Sequence, residues 1–475
     1  MRRVARVWMR TVSAIGAVAL TSLSAHAAHA PEGTWQGSIQ GMVRLVLHVE
    51  RGSGGALTGK LDSPDQGANG MSIDSLWVAG DSLRFEMRRL RASFAAQISA
   101  DDSTLTGQWS QSGMTLPLTM KRGGHPVVVG RPQEPVRPYP YDTLDVVYTN
   151  AKANVKLAGT LTLPRGKGPY PCALLITGSG PENRDEEIFG HKPFWVLADH
   201  LTRKGIAVLR VDDRGVGGST GSTMGSTSDD FAGDVLAGID FLKSRKEIDP
   251  KMIGLIGHSE GGLIAPMVAA RSKDVAFIVL MAGPGVRGDS ILILQTAAMR
   301  RLQGMSDEQI AREAAAMRHA HEMVRKGDSL GVARASRELV DLQVGMVPEA
   351  QRSAVGNLDT LAAAANRQLW SPWMRFFVSY DPRPTLTKVK CPVLALNGSK
   401  DFQVPPRENL AAISAALQAG GNRDATVKEL PGLNHMFQTA NTGAMMEYAA
   451  IEETIAPAAL NEMSDWIAAR TLAKK

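Results

Sequence analysis

Ile253-Gly-Leu-Ile-Gly-His-Ser-Glu-Gly-Gly262 is the stretch from which the rest of this chain reads outward. A short apolar run at 253–256 ends in Gly257-His258-Ser259-Glu260-Gly261, and a small-residue segment follows to Arg271. The pattern predicts a strand, a tight turn carrying the serine, and a helix. Such a turn leaves no room for a Cβ on either side of the serine, and Gly257 and Gly261 fill those places. A five-residue pattern also arises by chance, so its meaning depends on finding a base, an acid and oxyanion donors elsewhere.

Around this segment apolar strands alternate with helical periods. Strands are predicted at 173–176, 207–211, 253–256 and 275–281, and helices at 194–204, 231–246 and 263–271, after an antiparallel entry hairpin at 146–149 and 156–163. Strands alternating with helices indicate a mostly parallel sheet covered on both faces. From about 286 to 380 strands stop and helical periods take over, at 291–303, 307–326, 330–343 and 358–368. A helical insertion there would form a lid over the carboxyl ends of the strands, where open sheets bind ligands. Its Trp370, Trp373, Met374, Phe376 and Phe377 read as core packing in preference to an acyl pocket. The sheet resumes at 392–396 and closes at 426–430.

The loops after those two strands supply the missing partners. Asp401 ends Asn397-Gly-Ser-Lys-Asp401, and His435 ends Pro431-Gly-Leu-Asn-His435. Ser259 Oγ is a poor nucleophile at its own pKa, so His435 would take its proton and return it to the leaving group. Asp401 would hold the imidazole tautomer, with Asp381 as the alternative acid. His191, His200, His319 and His321 read as solvated or structural. The oxyanion hole needs two backbone N–H groups, assigned to Glu260 and, from Thr177-Gly-Ser-Gly-Pro181, to Ser179. The Lys and Ser/Thr that a phosphate-binding loop needs are missing from that segment. Asp213-Arg214-Gly215 reads as a turn in which Arg214 pairs with Asp185 or Glu186.

The preceding sequence has a different grammar. Residues 31–122 predict about eight short strands on polar turns, a small all-β barrel or sandwich with no catalytic constellation. Residues 123–141, with Pro126, Pro132, Pro135, Pro138 and Pro140, read as a stiff linker, and 142–475 as the sheet-and-lid domain. Residues 1–30 place Arg2, Arg3, Arg6 and Arg10 before an apolar run and Ala-His-Ala sites, the pattern of a cleavable signal peptide. A periplasmic or secreted location is therefore expected, without stable membrane insertion after cleavage.

Composition excludes more than it proposes. The chain has 475 residues, 44% hydrophobic and 21% charged, a globular balance too long for one core. Four arginines of the signal account for most of the formal charge of +6, and basic runs interleaved with aromatics are missing, so nucleic acid is not expected as a partner. Cys172 and Cys391 start strands that would not be neighbours, which favours two free thiols.

Gly178-Ser-Gly-Pro181 with Arg184-Asp-Glu186, Asp212-Asp-Arg-Gly-Val-Gly217, the segment from Asp249 to Gly262, Ser371-Pro-Trp-Met-Arg-Phe-Phe377 and Gly398-Ser-Lys-Asp401 with Gln403-Val-Pro405 together resemble the EstD-type bacterial serine esterases. Those are α/β-hydrolases related to prolyl and acylaminoacyl peptidases. The resemblance implies a Ser259, Asp401, His435 triad, in the chain order of that fold, and carboxylesterase activity on short acyl esters without metal or organic cofactor. The small molecule expected is thus an ester. An aminopeptidase-like serine peptidase and a non-catalytic binding protein on the same scaffold are the other readings, and the oligomeric state is not legible.

Overall fold

The structure, a computed structural model, describes residues 30–39, 43–64, 68–111, 114–123, 130–347, 349–352 and 355–472. Residues 1–29 of the expected signal peptide lie outside the described residues.

Among the described residues, nine strands form the first sheet: β1 (Gly33–Ile39), β2 (Val43–Arg51), β3 (Leu57–Ser63), β4 (Ala68–Ser72), β5 (Ser75–Ala79), β6 (Ser82–Met87), β7 (Ala92–Ile98), β8 (Thr104–Gln111) and β9 (Met114–Arg122). Neighbouring strands pair antiparallel, and β1 pairs with β9, so the meander rolls up with β4 and β5 as its two edges. Strict alternation, as in β6 and β7, sends Leu83, Phe85, Phe94 and Ala96 inward onto Trp35, Leu47 and Leu105. The sequence predicts one strand at 73–78; the structure instead bends at Asp74, and the extra strand β4 precedes it. Its Ala-Asn-Gly-Met-Ser sequence has no apolar alternation to betray it.

The second sheet contains β10 (Tyr141–Asn150), β11 (Val155–Pro164), β12 (Tyr170–Ile176), β13 (Ala207–Val211), β14 (Ile248–His258), β15 (Ile278–Met281), β16 (Val393–Gly398) and β17 (Ala425–Leu430). Their order is β10-β11-β13-β12-β14-β15-β16-β17. The entry hairpin is antiparallel, and every pairing from β13 onward is parallel. Alternate residues of the continuous apolar strands feed two separate cores: Cys172, Leu174 and Ile176 face one, Ala173 and Leu175 the other. The first core is closed by helices α2 (Ser228–Lys243) and α3 (Glu260–Ala269), and the second by α1 (Pro193–Arg203). The chain runs from β12 to β13 on one side and then crosses back to β14 on the other. That reversal opens a crevice at the carboxyl ends of β12 and β14.

Between β15 and β16 lies the expected helical insertion: α4 (Gly288–Leu302), α5 (Asp307–Lys326), α6 (Ser329–Met346), α7 (Glu349–Arg352), α8 (Leu358–Leu369), α9 (Pro372–Ser379) and α10 (Arg383–Leu386). Ser306 and Gln309 form a reciprocal capping box on α5, and Gly327 closes it in the left-handed region. Val324, Val332, Met374 and Val378, with Trp370 and Trp373 against them, give the insertion its own small core. The fold ends with α11 (Pro406–Ala419), α12 (Met445–Tyr448) and α13 (Pro457–Thr471), α11 and α13 covering opposite faces. Cys172 is buried, Cys391 is partly buried, both are free, and two strands separate β12 from β16.

In the segment expected as a linker, Arg131 donates to the carbonyl oxygens of Phe189, Gly190, Ala449 and Ile451. Gln133 bonds the backbone at Thr454 and Ile455, so this stretch is laid against the second sheet's loops.

Candidate active site

Ser259 stands at the carboxyl end of β14 with φ 52° and ψ −116°, a conformation that side-chain-bearing residues rarely hold. Backbone strain of this kind costs about 1–3 kcal/mol and persists only where the surroundings enforce it. They do so here through Ser259 N–H, which donates to Met281 O at 2.8 Å on β15, and Gly262 N–H, which donates to Ser259 O at 2.9 Å. A methyl group on Gly257 would overlap Gly261 O, and one on Gly261 would overlap Ile176 O. The two glycines are thus demanded by close backbone approach.

His435 and Asp401 are brought together from the loops after β17 and β16. His435 Nδ1 lies 2.8 Å from Asp401 Oδ2, and both side chains are buried. Asp401 Oδ1 accepts the N–H groups of Gln403 at 2.8 Å and Val404 at 2.9 Å, which fixes the carboxylate plane. A carboxylate oxygen only accepts, so Nδ1 carries the proton and Nε2 keeps its lone pair. Ser259 and His435 line one cavity of about 240 Å³ with Gly178, Ser179 and Glu260. Asp381 is elsewhere, bonded to Arg383 at the surface. His191 is buried between Thr454 Oγ1 and Tyr448 O, His200 meets Ser464, and His321 is buried inside the insertion.

At the crevice, Gly178 N–H is already engaged, donating to Glu186 Oε1 at 3.1 Å. The neighbouring N–H groups of Ser179 and Glu260 have no acceptor among the described residues, Glu260 being the first residue of α3. A methyl group placed on Gly178 would sit 3.4 Å from Ser259 Cβ, 3.6 Å from Glu182 Oε1 and 3.7 Å from Glu186 Oε1.

The fold is now decided by the eight-stranded order and the serine at its switch point. The chain has the α/β-hydrolase fold. Residues 194–329 match the family described as serine aminopeptidase, S33. Esterase EstD of Thermotoga maritima is 24% identical over 281 residues, covering 59% of this chain and 58% of the relative, so the chain spans little more than half that protein's length. Among solved structures, the α/β hydrolase GrgF from Penicillium sp. sh18 superposes with a TM-score of 0.45 at 17% identity, over 70% of this chain and 99% of its own. Pyrococcus furiosus esterase Pf2001 gives 0.42 at 16% identity, over 74% and 100%.

Glu182, Asp213 and His258 were not singled out from sequence as parts of the site, and the Glu260 side chain adds to the role assigned to its N–H. Glu260 carries a buried carboxylate whose Oε1 accepts from Ser228 Oγ at 2.5 Å and Trp373 Nε1 at 2.8 Å, tying the elbow to α2 and to the lid. Burial raises its pKa despite those donors. Burial likewise lifts Glu182 well above the carboxylate range, reinforced by Glu186 and Asp213. Asp213 is pushed up to about 7 by burial, although Thr177 Oγ1 and Glu182 N–H both donate to it. His258 bridges Glu186 and the His435 carbonyl. The sequence signal for it was present in the elbow, but nothing in one dimension places Glu186 beside it.

Two expectations change. Arg214 pairs not with Asp185 or Glu186 but with Asp234 on α2, through Nε–Oδ2 at 2.7 Å and Nη2–Oδ1 at 2.8 Å; Arg210 takes Asp185 and His258 takes Glu186. The pairing remains structural, since the turn after β13 points Arg214 at α2. The lid aromatics divide: Trp370 and Met374 pack inside the insertion, whereas Trp373, which also touches that small core, stacks on Phe377 at 4.9 Å and both line the cavity. A second chamber of about 370 Å³ lies within the insertion between α4, α5, α6, α8 and α9, and Leu292 borders both.

Proposed function

We propose that this protein is an exported serine hydrolase, a carboxylesterase that cleaves short acyl esters through an acyl-enzyme on Ser259. The observation that carries the reading is the serine held at positive φ in the same cavity as an imidazole whose Nδ1–H is fixed on a buried carboxylate. Ser259 Oγ attacks the ester carbonyl as His435 Nε2 takes its proton. Ser179 and Glu260 N–H groups receive the oxyanion, and the imidazolium protonates the departing alkoxide. Water, deprotonated by the same nitrogen, then releases the acid. A cavity of about 240 Å³ suits a short acyl group, and the likeness to EstD supports ester substrates. The arginine-led, apolar N-terminus supports export.

The serine aminopeptidase match and the carboxyl groups of Glu182, Glu186 and Glu260 in the cavity wall favour a second reading, peptidase activity on substrates with a free amine. One assay separates them. Hydrolysis of short p-nitrophenyl esters and of aminoacyl p-nitroanilides is measured with wild type and Ser259→Ala. Ser259-dependent ester turnover is expected; turnover of anilides alone would overturn the esterase, and no serine-dependent turnover of either would overturn both.

A further inference from the structure

We propose that His258 is a positioning residue: a buried imidazolium that holds the oxyanion loop, the serine elbow and the His435 loop in one arrangement around Ser259. The proposal rests on the reading of Ser259 as nucleophile. Its geometry is unusual for a histidine. Nδ1 lies 2.9 Å from Glu186 Oε1, and Nε2 lies 3.0 Å from the backbone carbonyl oxygen of His435. A carboxylate and a carbonyl oxygen both only accept, so against that pair a neutral imidazole with one N–H would set a lone pair against one oxygen, whereas the doubly protonated ring satisfies both. The same Glu186 oxygen accepts Gly178 N–H at 3.1 Å, next to the Ser179 donor. One cation therefore reaches the loops that follow β12 and β17 from the residue immediately before Ser259.

The surroundings favour the charge. Glu182 and Glu186 face the ring from the loop after β12, and His435 lies against it with ring centroids 4.8 Å apart, backed by Asp401. Glu260 stands on its own elbow, and Phe437 packs against it as an apolar neighbour. Burial alone would push the His258 pKa down, but the charge and hydrogen bond of Glu186, with the His435 carbonyl, bring it up to about 9. Loss of the charge would remove the common anchor of the oxyanion loop and the base. Misplacing such groups by about 1 Å costs on the order of 10²-fold in rate.

The test has two arms on the full-length protein. Histidine ring ¹⁵N spectra of wild type, with His258→Gln for assignment, are expected to show one ring protonated on both nitrogens at pH 7 and remaining so past pH 8. In the kinetic arm, Glu186→Gln is expected to lower kcat for p-nitrophenyl acetate by about 10- to 100-fold with little change in KM. It is also expected to move the alkaline limb of the pH profile from near 9 toward neutrality, with Glu186→Asp recovering part of both. A singly protonated His258 at pH 7 in wild type would overturn the proposal. So would a folded Glu186→Gln with unchanged kcat and an unchanged alkaline limb. Should His258→Gln not fold, the Glu186→Gln spectrum makes the assignment, since only the ring facing Glu186 loses its charge. Absence of any Ser259-dependent turnover would sink the nucleophile reading instead, and the spectra would still decide the charge.

Discussion

Asp401→Asn tests the core of the mechanism with a near-isosteric change. Asp401 Oδ1 holds the N–H groups of Gln403 and Val404, leaving only Oδ2 to face His435 Nδ1 at 2.8 Å. In the variant the amide oxygen stays with the two backbone donors, because the amide nitrogen there would oppose N–H to N–H. The NH₂ then faces His435 and donates to Nδ1. That forces the proton onto Nε2, the nitrogen that must accept from Ser259. A wrong tautomer of this kind costs about 10⁴-fold in kcat in serine hydrolases, or about 5 kcal/mol of barrier. The assay is steady-state hydrolysis of p-nitrophenyl acetate from pH 6 to 9, with circular dichroism to confirm folding and Asp381→Asn as control. A loss below about tenfold in a folded Asp401→Asn, or an equal loss in Asp381→Asn, would refute the assignment.

Three further outcomes are expected. Gly178→Ala should fold, since its methyl would make ordinary contacts of 3.4–3.7 Å, yet lose about 10²-fold in kcat/KM because it occupies the approach to Ser259; unchanged kinetics would remove the oxyanion loop from the site. Leu292→Ala should open the 240 Å³ cavity into the 370 Å³ chamber and shift the p-nitrophenyl ester profile toward longer acyl chains, with an unaltered profile showing that the chambers do not communicate. Thermal stability should fall as pH rises. His258 has a folded pKa of about 9 above the usual 6.5, so its contribution is complete below pH 6.5 and is lost as pH passes through 9, on the order of 3 kcal/mol. Asp213, raised from 3.8 to about 7, acts in the same direction at lower pH, its contribution complete below 3.8 and lost through 7. Differential scanning calorimetry between pH 6.5 and 9.5 should show a declining Tm that Glu186→Gln flattens; parallel slopes in the two proteins would contradict the ion pair.

Much of the fold was legible because β12, β14, β15 and β16 are buried on both faces and so read as unbroken apolar runs between helical periods. β4 escaped notice because an edge strand of small and polar residues has no periodic signal. The Arg214 partner was misjudged for a related reason. Asp185 and Glu186 are nearby in the motif, but the turn after β13 aims the guanidinium at Asp234, and no sequence spacing encodes that direction.

By itself, the sequence determined the elbow, its two obligatory glycines, and the order of serine, aspartate and histidine, because local backbone sterics and strand-end loops are written in neighbouring residues. Only the tertiary structure decided which carboxyl groups share the cavity, that Asp401 rather than Asp381 meets His435, and that His258 joins Glu186 to the His435 loop. Those contacts span 34 to 177 residues of chain. Such pairings come from the order in which parallel strands assemble, and the burial that sets their charges exists only once the sheet and its lid have closed.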